Sequence, residues 1–233
     1  MAKIKTQLLS TPKILTRKDI DKVMHILAEE YPKFRKPVVT EYAEQRNDPF
    51  EVLISTILSL RTRDETTHQA WLRLSALADN PTAMIQLSTE EIEKAIYPVG
   101  FYKTKAKTVL ETCKILLEKY NGKVPDELDE LLTIKGVGRK TANLVLTLGY
   151  NKAGICVDVH VHVICNRLGW VKTTTADKTE FKLREFLPNN YWIVINDYMV
   201  VHGQNICRTN YPRCGSCKIQ QFCKYETKDL NRK

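Results

Sequence analysis

Four cysteines near the C-terminal end of the chain have the spacing of metal ligands. Cys207, Cys214, Cys217 and Cys223 form the pattern C-x6-C-x2-C-x5-C. In a chain without a secretory signal, such a group indicates metal ligation rather than disulfides. Zinc sites usually contain two closely spaced pairs, but here only Cys214 and Cys217 are close in sequence. The longer loops favour a [4Fe-4S] cluster and leave zinc as the alternative.

A second candidate site is the segment "IKGVGRK", which contains Gly136 and Gly138 and lies between two helical patterns. Glycine permits a tight turn, and converging backbone amides at a helix start can bind a phosphate without reading sequence. Lys135, Arg139 and Lys140 add positive charge beside that turn. The alternative interpretation is an ordinary helix–helix turn.

Lys140 and Asp158 are the residues of this region most suited to chemistry. Lys140 falls in the first turn of a helix, where the dipole disfavours a cation, so it is either a solvated surface residue or a functional one. Asp158 is either the N-cap of the next helix or a group that the fold returns to Lys140. His160 and His162 diverge on a helix, which predicts phosphate or packing contacts rather than a metal pair.

Composition and charge restrict the class of protein. The chain has 233 residues, is 43% hydrophobic and carries a formal net charge of +9. This charge favours a polyanion or an anionic membrane surface as partner. No apolar run approaches the roughly 18 residues of a membrane span, so we expect a soluble protein. The first eighteen residues contain five basic residues and no acidic one. This composition suits an organellar presequence or a flexible basic arm, and we expect the arm.

Helical periodicity dominates the rest of the chain. Thr16 and Asp19 have the spacing of a capping box, and Asp48 with Pro49 predicts a second helix start. Cys113 lies on the apolar stripe of a long helix, which indicates a core position. No segment shows the alternation of a strand. The expected class is all-α, with about ten helices.

Three features in sequence order resemble a known family: "IKGVGRKTAN", "VDVHVHVICNRLGW" and the four cysteines. They are similar to those of endonuclease III, the helix-hairpin-helix DNA glycosylases with an iron–sulfur cluster, over about residues 19–225. The likeness implies two helical lobes, with duplex DNA between them and a [4Fe-4S] cofactor. One lobe is expected at 42–152 and the other at 19–41 plus 153–233, preceded by the basic arm 1–18.

By this resemblance, Lys140 is the catalytic lysine and Asp158 the catalytic aspartate. A nucleophilic lysine must be neutral, and both the helix start and Arg139 would disfavour its ammonium form. The implied reaction is attack of Lys140 on C1′ of a flipped-out damaged nucleotide, followed by β-elimination 3′ to the abasic site. Asp158 would stabilise positive charge on the sugar or relay a proton. The implied substrates are oxidised or ring-saturated pyrimidines and abasic sites.

The resemblance also implies a set of DNA contacts. Arg61 stands where relatives often have the glutamine that fills the gap left by the flipped base, and Phe101 matches a wedge, with core packing as the alternative. Lys135 replaces a frequent proline. The predicted DNA-binding residues are Arg61, Phe101, Lys135, Gly136, Val137, Gly138, Arg139 and His160.

Two other functions share part of this evidence. A noncatalytic DNA-binding module would use the turn and the cysteine loop only to hold the backbone. A mismatch-specific glycosylase of the same fold would lack lyase activity, but such relatives typically lack a lysine at position 140. We further expect a monomer with no membrane contact, cytoplasmic and nucleoid-associated if the source is prokaryotic.

Overall fold

The computed structural model describes residues 16–226, 228, 229 and 231. Most of the expected basic arm therefore lies outside the described residues. Every regular element within them is helical, which confirms the all-α class. None of these helices is both long and apolar enough to cross a bilayer. The α-helices are α1 Arg17–Glu30, α2 Val38–Arg46, α3 Pro49–Ser59, α4 Asp64–Leu77, α5 Pro81–Met84, α6 Thr89–Ile96, α7 Tyr102–Tyr120, α8 Leu128–Thr133, α9 Arg139–Leu144, α10 Val159–Leu168, α11 Ala176–Phe186 and α12 Ile195–Asn205.

Local capping explains where several of these helices begin. Thr16 and Asp19 form the expected capping box of α1, and the Asp48 carboxylate accepts a hydrogen bond from the Phe50 amide at the start of α3. Helix α9 continues into a π-helical turn, Val145–Gly149. The structure has more helices than the ten or so expected, since a single turn such as α5 is too short to show periodicity.

Buried apolar side chains form two core clusters. The first draws on residues 38–156 and the second on residues 20–27 and 155–219. Val38 and Val39 pack in the first cluster, although the expected boundaries assign them to the second lobe. The clusters are compatible with two lobes, and the lobe boundaries stay a prediction.

Polar contacts join the two clusters close to where they meet. The Thr40 hydroxyl donates to Asp197 at 2.8 Å, and the Asn196 amide donates to the Cys156 carbonyl at 3.2 Å. Burial is the largest cause that raises the pKa of Asp197, from 3.8 to about 6. Glu44 raises it further, whereas the Thr40 hydrogen bond and Lys36 lower it.

Replacement of Asp197 by Asn is expected to stabilise the protein in a pH-dependent way. The Asp197 carboxyl group binds its proton more tightly in the folded state than in the unfolded state. The free energy of unfolding therefore falls as pH rises from about 4 through 6 and the group loses this proton. Asp197→Asn should raise the free energy of unfolding by about 1–2 kcal/mol at pH 8 and by little at pH 4. Denaturant titrations at both pH values measure this difference, with the exposed Asp79→Asn as control. Equal effects at both pH values would contradict the assignment.

Candidate active site and nucleic-acid interface

A cavity of about 230 Å³ lies where the two core clusters meet. Lys140 from α9 and Asp158, which precedes α10, both line it, so the fold brings together the two residues that the sequence placed eighteen positions apart. Arg61 and His160 also line this cavity. The remaining lining residues are Pro37, Val39, Thr40, Ser59, Thr62, Asp64, Leu144, Val159, Asn196, Val200 and Gln204.

The side chain of Lys140 is partly exposed and faces this cavity. Lys140 is the second residue of α9, and Gly138 is the N-cap, which provides no side chain to satisfy the first-turn amides. Within the described part of the chain, the Lys140 amine has neither a hydrogen bond nor an ion pair. The amine is therefore not held by a carboxylate, and a substrate atom can approach it.

Asp158 caps helix α10 and borders the same cavity. Its Oδ1 accepts a hydrogen bond from the Val161 amide at 2.9 Å. The capping role considered from the sequence is therefore real, and it coexists with a position beside Lys140. The cap holds the carboxylate in place, and the carboxylate forms no ion pair with Lys140. Its negative charge can therefore act on a group that binds between the two residues.

Arg139 is paired with a buried carboxylate rather than free. Its guanidinium donates to both oxygens of Glu180, at 2.6 and 2.7 Å, and stacks on Phe181 at 4.5 Å. Glu180 is only 2% exposed and also accepts from Arg184. The pairing compensates the charge that was expected to act on Lys140. It also ties the start of α9 to α11, which fixes the backbone that carries Lys140.

The two histidines after Asp158 have different surroundings. The His160 ring packs on α12 so closely that a Cβ added at Gly203 would lie 2.3 Å from its Nδ1 atom. His162 Nδ1 lies 2.7 Å from the Thr179 hydroxyl of α11. His160 therefore packs against α12 and borders the cavity, whereas His162 is hydrogen-bonded to α11.

The turn between α8 and α9 adopts a compact hairpin. Gly136 has a φ of +88°, and a Cβ there would lie 2.6 Å from the Thr108 side chain, so glycine is required. Gly138 has an ordinary φ of −91° with open space around its α-carbon, so of these two glycines only Gly136 has a positive φ. Val137 is buried, and Lys135 forms an exposed salt bridge with Glu111. The surface above Gly138 is open to a ligand.

The four C-terminal cysteines line one cavity and form no disulfide. The Arg167 guanidinium donates to the Cys207 sulfur at 3.3 Å, and the Tyr225 amide donates to the Cys223 sulfur at 3.5 Å. No three His, Cys, Asp or Glu side chains of the described residues are arranged to hold a single metal ion. Four thiols around one space are a donor set that suits an iron–sulfur cluster.

Comparison with known proteins places the chain in a family. Residues 54–189 match the HhH-GPD superfamily base excision DNA repair protein family. The chain is 46% identical to endonuclease III of Thermotoga maritima over 78% of its own length and 85% of that protein. It is 36% identical to endonuclease III of Escherichia coli over 78% and 86% of the two chains. A structure of a trapped endonuclease III–DNA covalent intermediate matches with a TM-score of 0.81 and 31% identity, over 91% of this chain and 97% of that one.

The chain belongs to the endonuclease III family. The expected class, a DNA glycosylase and abasic-site lyase of base excision repair, is thereby confirmed. Members of the endonuclease III family bind an iron–sulfur cluster, which agrees with the four thiols around one cavity.

Arg61 and Phe101 meet at the surface next to the cavity. The Arg61 guanidinium lies over the Phe101 ring, 5.1 Å from its centroid. Phe101 is 61% exposed, which excludes core packing. Both residues have left-handed backbones, with φ of 54° and 59°. An exposed aromatic ring and an arginine held in strained conformations suit an endonuclease III surface that contacts bases.

Sequence reasoning missed Lys105, which lies on the buried side of α7. It is 7% exposed, and burial lowers its pKa to about 8, with the charge of Lys140 as a smaller cause. Lys105 precedes the buried residues Val109, Thr112 and Leu116 at spacings of four, seven and eleven. This helical spacing was the signal that could have identified it, because a lysine on an apolar stripe needs acceptors.

Proposed function

We propose that this protein removes oxidised or ring-saturated pyrimidines from duplex DNA and cuts the strand 3′ to the resulting abasic site. The observation that carries the proposal is one cavity, between the two cores, lined by an unpaired lysine and a capped aspartate. The Lys140 amine acts as nucleophile at C1′ of the deoxyribose. The new C–N bond replaces the bond to the base, which leaves with a proton.

No carboxylate pairs with the Lys140 amine within the described residues, so its nitrogen is open to an incoming sugar carbon. Asp158 acts after attack begins. Its carboxylate stabilises positive charge on the sugar and can move a proton from the nitrogen.

After the base has left, the opened sugar and Lys140 form a Schiff base. The Schiff base acidifies the proton at C2′, and its removal expels the 3′ phosphate by β-elimination. Water then releases Lys140 from the sugar. This sequence needs no redox change.

DNA lies across both lobes in the proposed complex. The amides of Gly136 and Gly138 and the side chain of Lys135 contact one phosphate without reading sequence. Val137 is buried and its amide donates to the Ile134 carbonyl, so it holds the turn rather than the phosphate, and Arg139 supports this segment through Glu180. Arg61 and Phe101 enter the duplex beside the flipped nucleotide. His160 borders the sugar-binding space. Both catalytic groups come from one chain, so the site is complete without a second copy, and the proposed active form is a monomer.

Cys207, Cys214, Cys217 and Cys223 are proposed to hold a [4Fe-4S] cluster. A bound cluster would cross-link the C-terminal segment, and the reaction proposed at Lys140 requires no electron from it. Burial raises the pKa of the thiol of Cys217 to about 12, and iron coordination would supply the charge that keeps such a thiol deprotonated. Hydrogen bonds from Arg167 and the Tyr225 amide compensate the thiolates.

The purified protein is expected to be brown, with about four iron atoms and four acid-labile sulfides per chain. Cys214→Ser should lose most of the iron and lower the free energy of unfolding by several kcal/mol, since cluster binding is coupled to folding. Cys113→Ala is the matched control, because this buried thiol lies in the other core and should leave iron content unchanged. A colourless wild-type protein with one zinc per chain would contradict the cluster.

Incision of duplexes that each carry one defined lesion tests the function. The wild-type protein should cut a duplex with a ring-saturated pyrimidine or an abasic site, leave an unsaturated aldehyde at the 3′ end, and spare undamaged DNA. Excision of a mismatched base without strand cleavage would support the mismatch-specific alternative. Binding without cleavage of any substrate would support a noncatalytic module.

A further inference from the structure

The buried ammonium of Lys105 is fully hydrogen-bonded to the chain segment after α3. Its Nζ donates to the carbonyls of Leu58 and Leu60, at 2.8 and 2.5 Å, and to the Thr62 hydroxyl at 3.0 Å. An ammonium has three donors, and these contacts use all of them. Burial lowers the pKa of Lys105 only to about 8, so near neutral pH most molecules retain the form that fits these acceptors.

The segment that Lys105 holds contains Arg61. Its left-handed backbone is uncommon for a residue with a side chain and needs support from its neighbours. The flanking carbonyl of Leu60 and hydroxyl of Thr62 both accept from Lys105, so the ammonium holds the chain on each side of Arg61.

The same contacts join the loop that carries Phe101. The Gly100 amide donates to the Thr62 hydroxyl at 3.2 Å, and a Cβ at Gly100 would lie 2.7 Å from the Arg61 carbonyl oxygen. Thr62 therefore links Lys105 to both loops. Their close approach places the Arg61 guanidinium over the Phe101 ring.

We propose that Lys105 is a positioning residue that sets the Arg61–Phe101 pair for extrusion of the damaged nucleotide. The proposal rests on the function proposed above, in which this pair enters the duplex. Lys105 does not touch the reacting atoms, and its effect is on the step that brings the nucleotide into the cavity. Loss of the Lys105 side chain should therefore slow excision severely for a lesion that is stacked and paired, and only mildly for a lesion that is already unpaired.

Single-turnover excision by Lys105→Met tests this inference, with the same lesion either paired in a duplex or unpaired in a bulge. The rate on the paired lesion should fall at least about tenfold, and the rate on the bulged lesion by less than about threefold. Arg61→Ala should show the same selectivity, and the double variant should be no slower than the slower single variant. Lys105→Arg, which keeps charge and donors, should restore part of the rate. The exposed Lys114→Met on the same helix is the control.

Equal losses on the two substrates, or additive losses in the double variant, would overturn the inference. If Lys105→Met does not fold, Thr62→Val provides the test, since it removes the hydroxyl shared by both loops and should show the same selectivity. Wild-type excision of the paired lesion separates the two proposals. Its absence rejects the proposed function, whereas normal wild-type excision with unselective variants rejects only the role of Lys105.

Discussion

Replacement of Lys140 by Gln is expected to abolish both strand cleavage and covalent trapping on DNA. Without the amine, no bond to C1′ can form, so single-turnover incision should fall at least about 10³-fold. The reaction is followed on a duplex with one ring-saturated pyrimidine, with and without borohydride. The affinity of the variant for a duplex with a stable abasic-site analogue should change by no more than about tenfold, since only one positive charge near the phosphates is lost among many contacts.

The matched control for this variant is Lys178→Gln. Lys178 is also a lysine in the first turn of a helix, α11, but it is exposed and does not border the cavity. It should retain full incision and trapping. If Lys140→Gln still formed the trapped complex, or Lys178→Gln lost it, Lys140 could not be the nucleophile.

Replacement of Asp158 by Asn is expected to lower the incision rate by about 10²–10³-fold without unfolding the protein. Asn is as good an N-cap as Asp, so the hydrogen bond to the Val161 amide can persist. The lost negative charge is what should slow the reaction, because it no longer stabilises positive charge on the sugar. Single-turnover rates and denaturant unfolding, measured on the same preparation, separate these two effects.

Asp48→Asn is the control for the charge change at a helix start. Asp48 caps α3 in the same manner, with a hydrogen bond of 2.9 Å from the Phe50 amide, and it lies outside the catalytic cavity. Its variant should keep the wild-type rate. A rate loss for Asp158→Asn that matches its loss of stability would instead assign Asp158 a purely structural role.

Helix starts and the core were predictable from sequence because local chemistry determines them. The caps at Thr16 and Asp48 form as their spacing indicates. The sequence "VPDELDELL" predicts a short helix with Pro125 at its start, but α8 begins at Leu128. Hydrogen bonds from Tyr150 and Lys152 to the Val124 and Asp126 carbonyls explain this, because they hold the preceding segment outside the helix. Such long-range contacts leave no local signal.

Some features of the candidate site could likewise be predicted from the sequence, and others could not. The glycine turn, Lys140, Asp158 and the cysteines could be selected from sequence because their types and spacing are unusual. The pairing of Arg139 with Glu180, 41 residues away, could not be selected, and it changes the electrostatics expected at Lys140. The hydrogen-bond acceptors of Lys105 and the Arg61–Phe101 stack could not be predicted either, because they depend on how α3 and α7 pack.

The most direct test of the account is to locate the atom that becomes bonded to DNA. The wild-type protein is incubated with a duplex containing one abasic site, reduced with borohydride and digested, and the modified peptide is sequenced by mass spectrometry. We expect a single sugar adduct on Lys140. An adduct on Lys105 or on any other amine, with Lys140 unmodified, would contradict the role of Lys140 as nucleophile.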